Sequence, residues 1–150
     1  VLLYIGIQLF FNAMLNLSLY PMLHPSLLLQ PMGKRGRGMV TTEPLEAGMI
    51  IEIAPVIVMN LNDRALLDQT LLHDYIFEWG EKKNQCAMAL GHIPMYNHSS
   101  NSNCEYFMDF ENETIFVKTV RKIDVDEELT INYNGDWDNH APVWFTVEQV

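Results

Sequence analysis

The sequence predicts a mainly β domain of the α+β class. Three observations carry that expectation. Short runs of apolar, β-branched and aromatic residues recur along the chain, among them MIIEI, PVIVM, YIFEW, AMAL, TIFVKTV and LTINY, and turn-forming or charged residues bound them. One stretch, Asn62 to Asp74, has helical spacing, with Leu66, Leu67, Leu71 and Leu72 on one side and Asp63 as the expected N-cap. Strands and helices do not alternate in the βαβ manner that a doubly wound sheet requires.

Taken in order, the chain opens on VLLYIGIQLFFNAMLNLSLY, an apolar run without Asp, Glu, Lys or Arg, and the first such charge is Lys34. A membrane-spanning helix needs about 20 mostly apolar residues. This run is interrupted by Gln8, Asn12, Asn16 and Ser18 and lacks the basic start of a signal peptide. A weak anchor, a helix packed on the domain and upstream sequence outside the fold all remain open, with Met14 and Met22 as available starts. After Pro31, GKRGRG is too glycine-rich for a regular element and reads as a loop. Met39 to Met59 reads as extended chain with a turn at PLEAG. Strands at YIFEW and AMAL follow, then a long polar loop, YNHSSNSNCE. CEYFMDF and TIFVKTV should pair around ENE, and RKIDVDEE should turn into LTINY.

Composition narrows the function. The 150 residues suit one domain, and 49% hydrophobic content suits a packed core. A formal charge of −10, from 19 acidic and 9 basic residues, argues against a nucleic-acid backbone as direct partner and suits a basic protein tail. The two cysteines, Cys86 and Cys104, cannot form a disulfide framework and make no CxxC pair. They point to a reducing, intracellular compartment, cytoplasm or nucleus, with Cys104 expected as a buried, inert thiol. Gly33, Gly36 and Gly38 do not make a Walker loop, which ends in Gly-Lys-Ser/Thr, nor a dinucleotide fingerprint, which opens into a helix.

Three separated segments remain: Gly36-Arg37-Gly38, Asn97-His98-Ser99, and Glu127 to Tyr133, EELTINY. In this order, among short strands, they resemble the SET-domain signature of a GxG loop, NHSxxxN and EELTxxY. DYIF, AMALG and the ending YNGDWDNHAPVWF are similar to small viral and bacterial SET proteins that lack a cysteine-rich post-SET segment. The resemblance runs from about Leu27 to Phe145. It implies several short β-sheets with one short helix and a C-terminal pseudoknot-like loop. On this reading residues 1–21 are an apolar leader, and residues 22–150 form the SET domain with a short C-terminal tail.

The resemblance implies S-adenosylmethionine as cofactor and a lysine in a basic, histone-like tail as substrate; it also admits a homodimer. Methyl transfer from a sulfonium to an amine is an in-line displacement. It needs alignment and a neutral amine rather than a metal or an acid–base triad. Gly36, Arg37 and Gly38 carry the backbone approach to the cofactor, where a Cβ would intrude. Asn97 and the backbone of His98 match its further contacts, with Trp144 expected to pack on it. Tyr133 matches the catalytic tyrosine. Tyr75 matches an aromatic of the lysine channel and joins Tyr133 among the catalytic expectations, and Trp137 is expected in the same channel. Asn103 matches the second Asn of the motif, with Ser102 in place of the usual Pro. Glu127 and Glu128 are expected to fix the turn before the last strand. No metal site is expected. Two other classes compete: a SET-like module without catalysis that binds basic peptides, and a membrane-tethered interaction protein defined by the leader.

Overall fold

The structure, a computed structural model, describes residues 22–145. The expected leader, residues 1–21, lies outside the described residues. Among those described, no helix is long and apolar enough to cross a membrane.

The architecture is the mainly β one expected. A six-stranded sheet is built on β4 (Ile50–Met59). The two apolar runs MIIEI and PVIVM form this single strand, with Pro55 inside it. Proline has no N–H for a ladder and is excluded from most central strands. It is accommodated here because β4 changes partners at that point: its pairing with β9 (Thr114–Thr119) ends at Pro55, and its pairing with β6 (Gln85–Ala89) begins at Val56. β5 (Ile76–Trp79) lies outside β6, β8 (Cys104–Asp109) lies outside β9, and the two-residue β1 (Met22–Leu23) adds to β4 at Glu52 and Ile53. The expected hairpin of CEYFMDF and TIFVKTV is the β8–β9 pair.

A second, four-stranded sheet has the order β2 (Leu27–Pro31), β3 (Arg37–Thr41), β10 (Glu128–Ile131) and β7 (Asn97–His98). One apolar cluster joins both sheets, with Met39, Leu129 and Ile131 from the second and Ile51, Ile115 and Val117 from the first. Cys86 and Cys104 are free and buried, and burial pushes both thiols up, which keeps them protonated and unreactive.

The helical segment departs from expectation twice. α1 spans Leu61–Leu67 and is followed by a 3₁₀ turn, Leu71–Tyr75, rather than running on. Its N-cap is Asn60, whose side chain accepts from the N–H of Asn62 and Asp63. Asp63 instead returns a bond to the Asn60 N–H as the other half of a capping box. Leu66, Leu71 and Leu72 are exposed, so the leucine periodicity does not mark a core-facing side.

Candidate active site

The three sequence segments singled out above meet on the four-stranded sheet. β3 runs antiparallel to β10, with Met39 opposite Leu129 and Val40 opposite Glu128. β7 lies on the other side of β10 and parallel to it, with Asn97 opposite Thr130 and His98 opposite Ile131. Backbone pairing therefore brings residues about 30 and about 90 positions apart to neighbouring strand spacing, about 4.8 Å. Two residues would not hold a parallel strand alone, and the loop after β7 supplies further anchors. The Ser99 N–H donates to Ile131, and buried Asn103 clasps β10 from both faces of its amide. Its Nδ2 donates to the Glu128 carbonyl at 2.8 Å and to Glu127 Oε1, while its Oδ1 accepts from the Thr130 N–H at 2.8 Å. Ser102, where the motif carries proline, donates its N–H to the Trp137 carbonyl at 3.0 Å, a bond proline cannot make. The substitution thus exchanges ring stiffness for a hydrogen bond.

One wall is polar and tightly packed. The Glu128 carboxylate accepts from Asn97 Nδ2 at 2.7 Å and forms an ion pair with Arg35 Nη2 at 2.5 Å. Asn97 Nδ2 also donates to the Arg37 carbonyl at 3.3 Å. Gly38 passes directly behind this group, and a Cβ there would fall 2.6 Å from Glu128 Oε1 and 2.7 Å from Asn97 Nδ2. Gly36 is needed for another reason: its φ of 75° is left-handed, and nothing lies within 4 Å of where its Cβ would be. The expected roles of the acidic pair divide accordingly. Glu127 fixes the turn through Arg121 and the Asp124 N–H, and Glu128 holds Asn97.

The facing wall is aromatic. Trp144 lies on Tyr133 with ring centroids 5.9 Å apart and planes 23° apart, and Phe145 meets Tyr133, Trp144 and His98 edge-on. The Tyr133 hydroxyl donates to the Tyr96 carbonyl at 2.9 Å, so its hydrogen points away and its lone pairs remain available. Burial, with the nearby Tyr75 and Asp74 adding to it, pushes the phenol up to about 12. It stays protonated at any physiological pH. His98 Nδ1 accepts the Tyr133 N–H at 3.2 Å, which places the proton of the neutral ring on Nε2, and burial lowers its pKa. That ring supports the Tyr133 backbone.

These walls enclose a cleft of about 360 Å³, within the range of small-molecule sites. Gly36, Arg37, Asn97, Tyr75, Tyr133 and Trp144, all singled out in the sequence, line it. Gly38 and His98 stand behind it and brace residues that do. Trp137 does not line it. A turn closed by Asn132 Nδ2 on the Asn139 carbonyl and by the Gly135 N–H on Asn132 instead leaves the Trp137 carbonyl on the Ser102 side. Arg35, Asp74, Pro94 and Met95 also line the cleft and did not stand out in the sequence. Asp74 and Arg35 are ordinary loop charges by pattern, and only their placement singles them out.

Comparison with known proteins agrees with the geometry. A family model described as the SET domain matches residues 36–134. A histone-lysine N-methyltransferase of Schizosaccharomyces pombe, H3 lysine-37 specific, is 33% identical over 129 residues, covering 85% of this chain and 82% of the relative. Among solved structures, a Plasmodium falciparum protein described as a candidate histone methyltransferase superposes with a TM-score of 0.56 at 26% identity, covering 75% of this chain and 96% of its own. The apo ctPRC2 assembly with mutated Ezh2 matches with a TM-score of 0.62 at 17% identity, covering 73% of this chain and 15% of that one, and so shares the fold. The chain belongs to the SET-domain family of protein-lysine methyltransferases. Its class is that of a transferase, and enzymes of this family generally use S-adenosylmethionine.

Proposed function

We propose that this chain transfers a methyl group from S-adenosylmethionine to a lysine amine in a basic, histone-like protein tail. The single observation that supports it best is the convergence on one cleft of a glycine loop, an amide and a tyrosine whose lone pairs are left available. The residues present fit the cofactor. Gly36 offers backbone at an open, side-chain-free position beside Arg37 on the cleft, and Asn97, with its Nδ2 engaged by Glu128 and Arg37, has Oδ1 for an ammonium. Trp144 gives an aromatic face beside Tyr133. When bound, the cofactor supplies an electrophilic methyl on a sulfonium. Tyr133 presents oxygen lone pairs to positive charge and takes no proton, because its own hydrogen is held by Tyr96 and its pKa is high. Tyr75 and Tyr133 flank an aliphatic stem, and their ring faces hold a methylated ammonium by cation–π attraction. The acidic surface draws the tail, an attraction that salt screens.

The catalytic unit in this reading is residues 22–150, so a chain starting at Met22 should remain soluble and bind the cofactor. A chain of that kind that aggregates while the full chain does not would move the leader into the fold. The decisive assay is incubation with methyl-labelled cofactor and either core histones or an acidic protein. Label entering histone lysines, less so as salt rises, is the expected result. Cofactor and peptide binding without transfer would favour a non-catalytic SET-like module instead.

A further inference from the structure

The apolar strand β4 carries one ionisable side chain, Glu52, flanked by Ile51 and Ile53 and only 2% exposed. An isolated carboxylate in such a place is costly unless it is satisfied by hydrogen bonds. Here both oxygens are satisfied by one short segment. Oε1 accepts the His92 N–H at 2.6 Å, and Oε2 accepts the Tyr96 hydroxyl at 3.0 Å. Those donors sit at the two ends of the 3₁₀ turn Ile93–Met95, which has Pro94 in its first turn. The carboxylate therefore staples the turn at entry and exit. The chain makes room for it: a Cβ on Gly91 would fall 2.7 Å from Glu52 Oε1 and 3.1 Å from the Ala54 Cβ.

What leaves that turn matters for the cleft. The Tyr96 ring is 1% exposed, and its carbonyl is the acceptor of the Tyr133 hydroxyl. The next residue is Asn97, and Pro94 and Met95 line the cleft themselves. A direct chain of bonds thus runs from Glu52 through the Tyr96 phenol, across the Tyr96 residue to its carbonyl, and on to the Tyr133 hydroxyl. We infer that Glu52 is a positioning residue for the transfer: by tethering Tyr96 it aims the carbonyl that turns the Tyr133 hydrogen away and its lone pairs toward the cleft. This rests on the reading of Tyr133 given under Proposed function.

The test uses the full chain, labelled at the tyrosine Cζ with carbon-13. Tyr96→Phe removes one hydroxyl and nothing else. It should move the Tyr133 Cζ resonance and lower kcat by about ten- to a hundredfold, as a misplaced reacting group does, with the cofactor Kd unchanged. Glu52→Gln, which can still accept from His92 and donate to Tyr96, should keep kcat close to the parent value. If Tyr96→Phe does not fold, Glu52→Asp, which keeps the charge but withdraws it by one methylene, should give the same loss. The inference is overturned if the folded variant leaves resonance and kcat unmoved. It is overturned equally if kcat, cofactor Kd and melting temperature all deteriorate together, or if Glu52→Gln is as damaging as Tyr96→Phe. Should the parent transfer no methyl group, the proposed function fails, but the resonance still decides the tether, because it needs no turnover.

Discussion

The two walls of the cleft are built by different means. The wall around Asn97 is a lattice of hydrogen bonds among Arg35, Arg37, Asn97, Asn103 and Glu128, backed by three strands and by a glycine with no space for a methyl. The wall around Trp144 is held by ring contacts, with Trp144 60% exposed. A connected, half-buried polar network has few low-energy arrangements, since displacing one member strands a polar group. Ring contacts lose less on sliding and can be remade against a new partner. The difference teaches that the first wall is preorganised for a ligand of fixed shape, and the second is suited to close on a variable one.

Tyr133 stands where the walls meet, and altering it should have the largest effect. Tyr133→Phe is expected to lower the single-turnover rate by about a hundredfold or more, on the scale of removing one electrostatic contact to a transition state, with the cofactor Kd unchanged. Equal rates for mutant and parent would remove Tyr133 from the chemistry.

The polar wall should answer in binding. Asn97→Ala takes away a cofactor contact and leaves Glu128 without one donor. Cofactor affinity should weaken by about 1–3 kcal/mol in titration calorimetry. An unchanged affinity would mean that the rigid wall does not face the cofactor.

The aromatic wall should respond more weakly. Trp144→Ala, which removes the ring expected to pack on the cofactor, should raise the cofactor Kd by roughly two- to thirtyfold, on the scale of one cation–π contact of about 0.5–2 kcal/mol. A collapse of kcat instead would show that this wall is as preorganised as the other.

The smallest effect concerns pH and the ring between them. Burial depresses the His98 pKa in the folded chain, so the unfolded chain takes up the proton first. The contribution of neutral His98 to stability is therefore present above its unfolded value, about 6.5, and is lost as pH falls through it. The urea midpoint should drop between about pH 7.5 and about pH 5.5, and His98→Phe should flatten that drop. Parallel slopes for mutant and parent would show that His98 is not held neutral by its site.

Much of this was legible in the sequence, and the reason differs by element. Glycine signals a backbone that must pass where a side chain cannot, and Gly38 does pass behind Asn97 and Glu128. Apolar and aromatic runs on either side of the polar turn ENE marked CEYFMDF and TIFVKTV as paired strands, and they form the β8–β9 hairpin. The helical segment misled, because leucine spacing reports a helix but not what covers it. Asn60 was missed as the cap because Asp63 is just as good a cap by residue type; which of the two occupies that position depends on where β4 ends. Trp137 and Trp144 are equivalent as residue types, and the turn at Asn132–Asn139 separates them, with Trp144 on the cleft and Trp137 off it.

By itself the sequence determined the chemistry on offer: mainly β elements, a glycine loop, an amide, a tyrosine at a strand end, and a strongly acidic balance. These are local properties, set by side-chain volume, backbone freedom and charge, and so they can be read along the chain. Only the tertiary structure decided which groups meet. The meeting of Asn97 with Gly38 and Glu128 depends on a two-residue parallel pairing, and that of Glu52 with Tyr96 spans 44 positions. Such contacts leave no periodic trace in the sequence, because their energy comes from partners that only the closed sheets bring together.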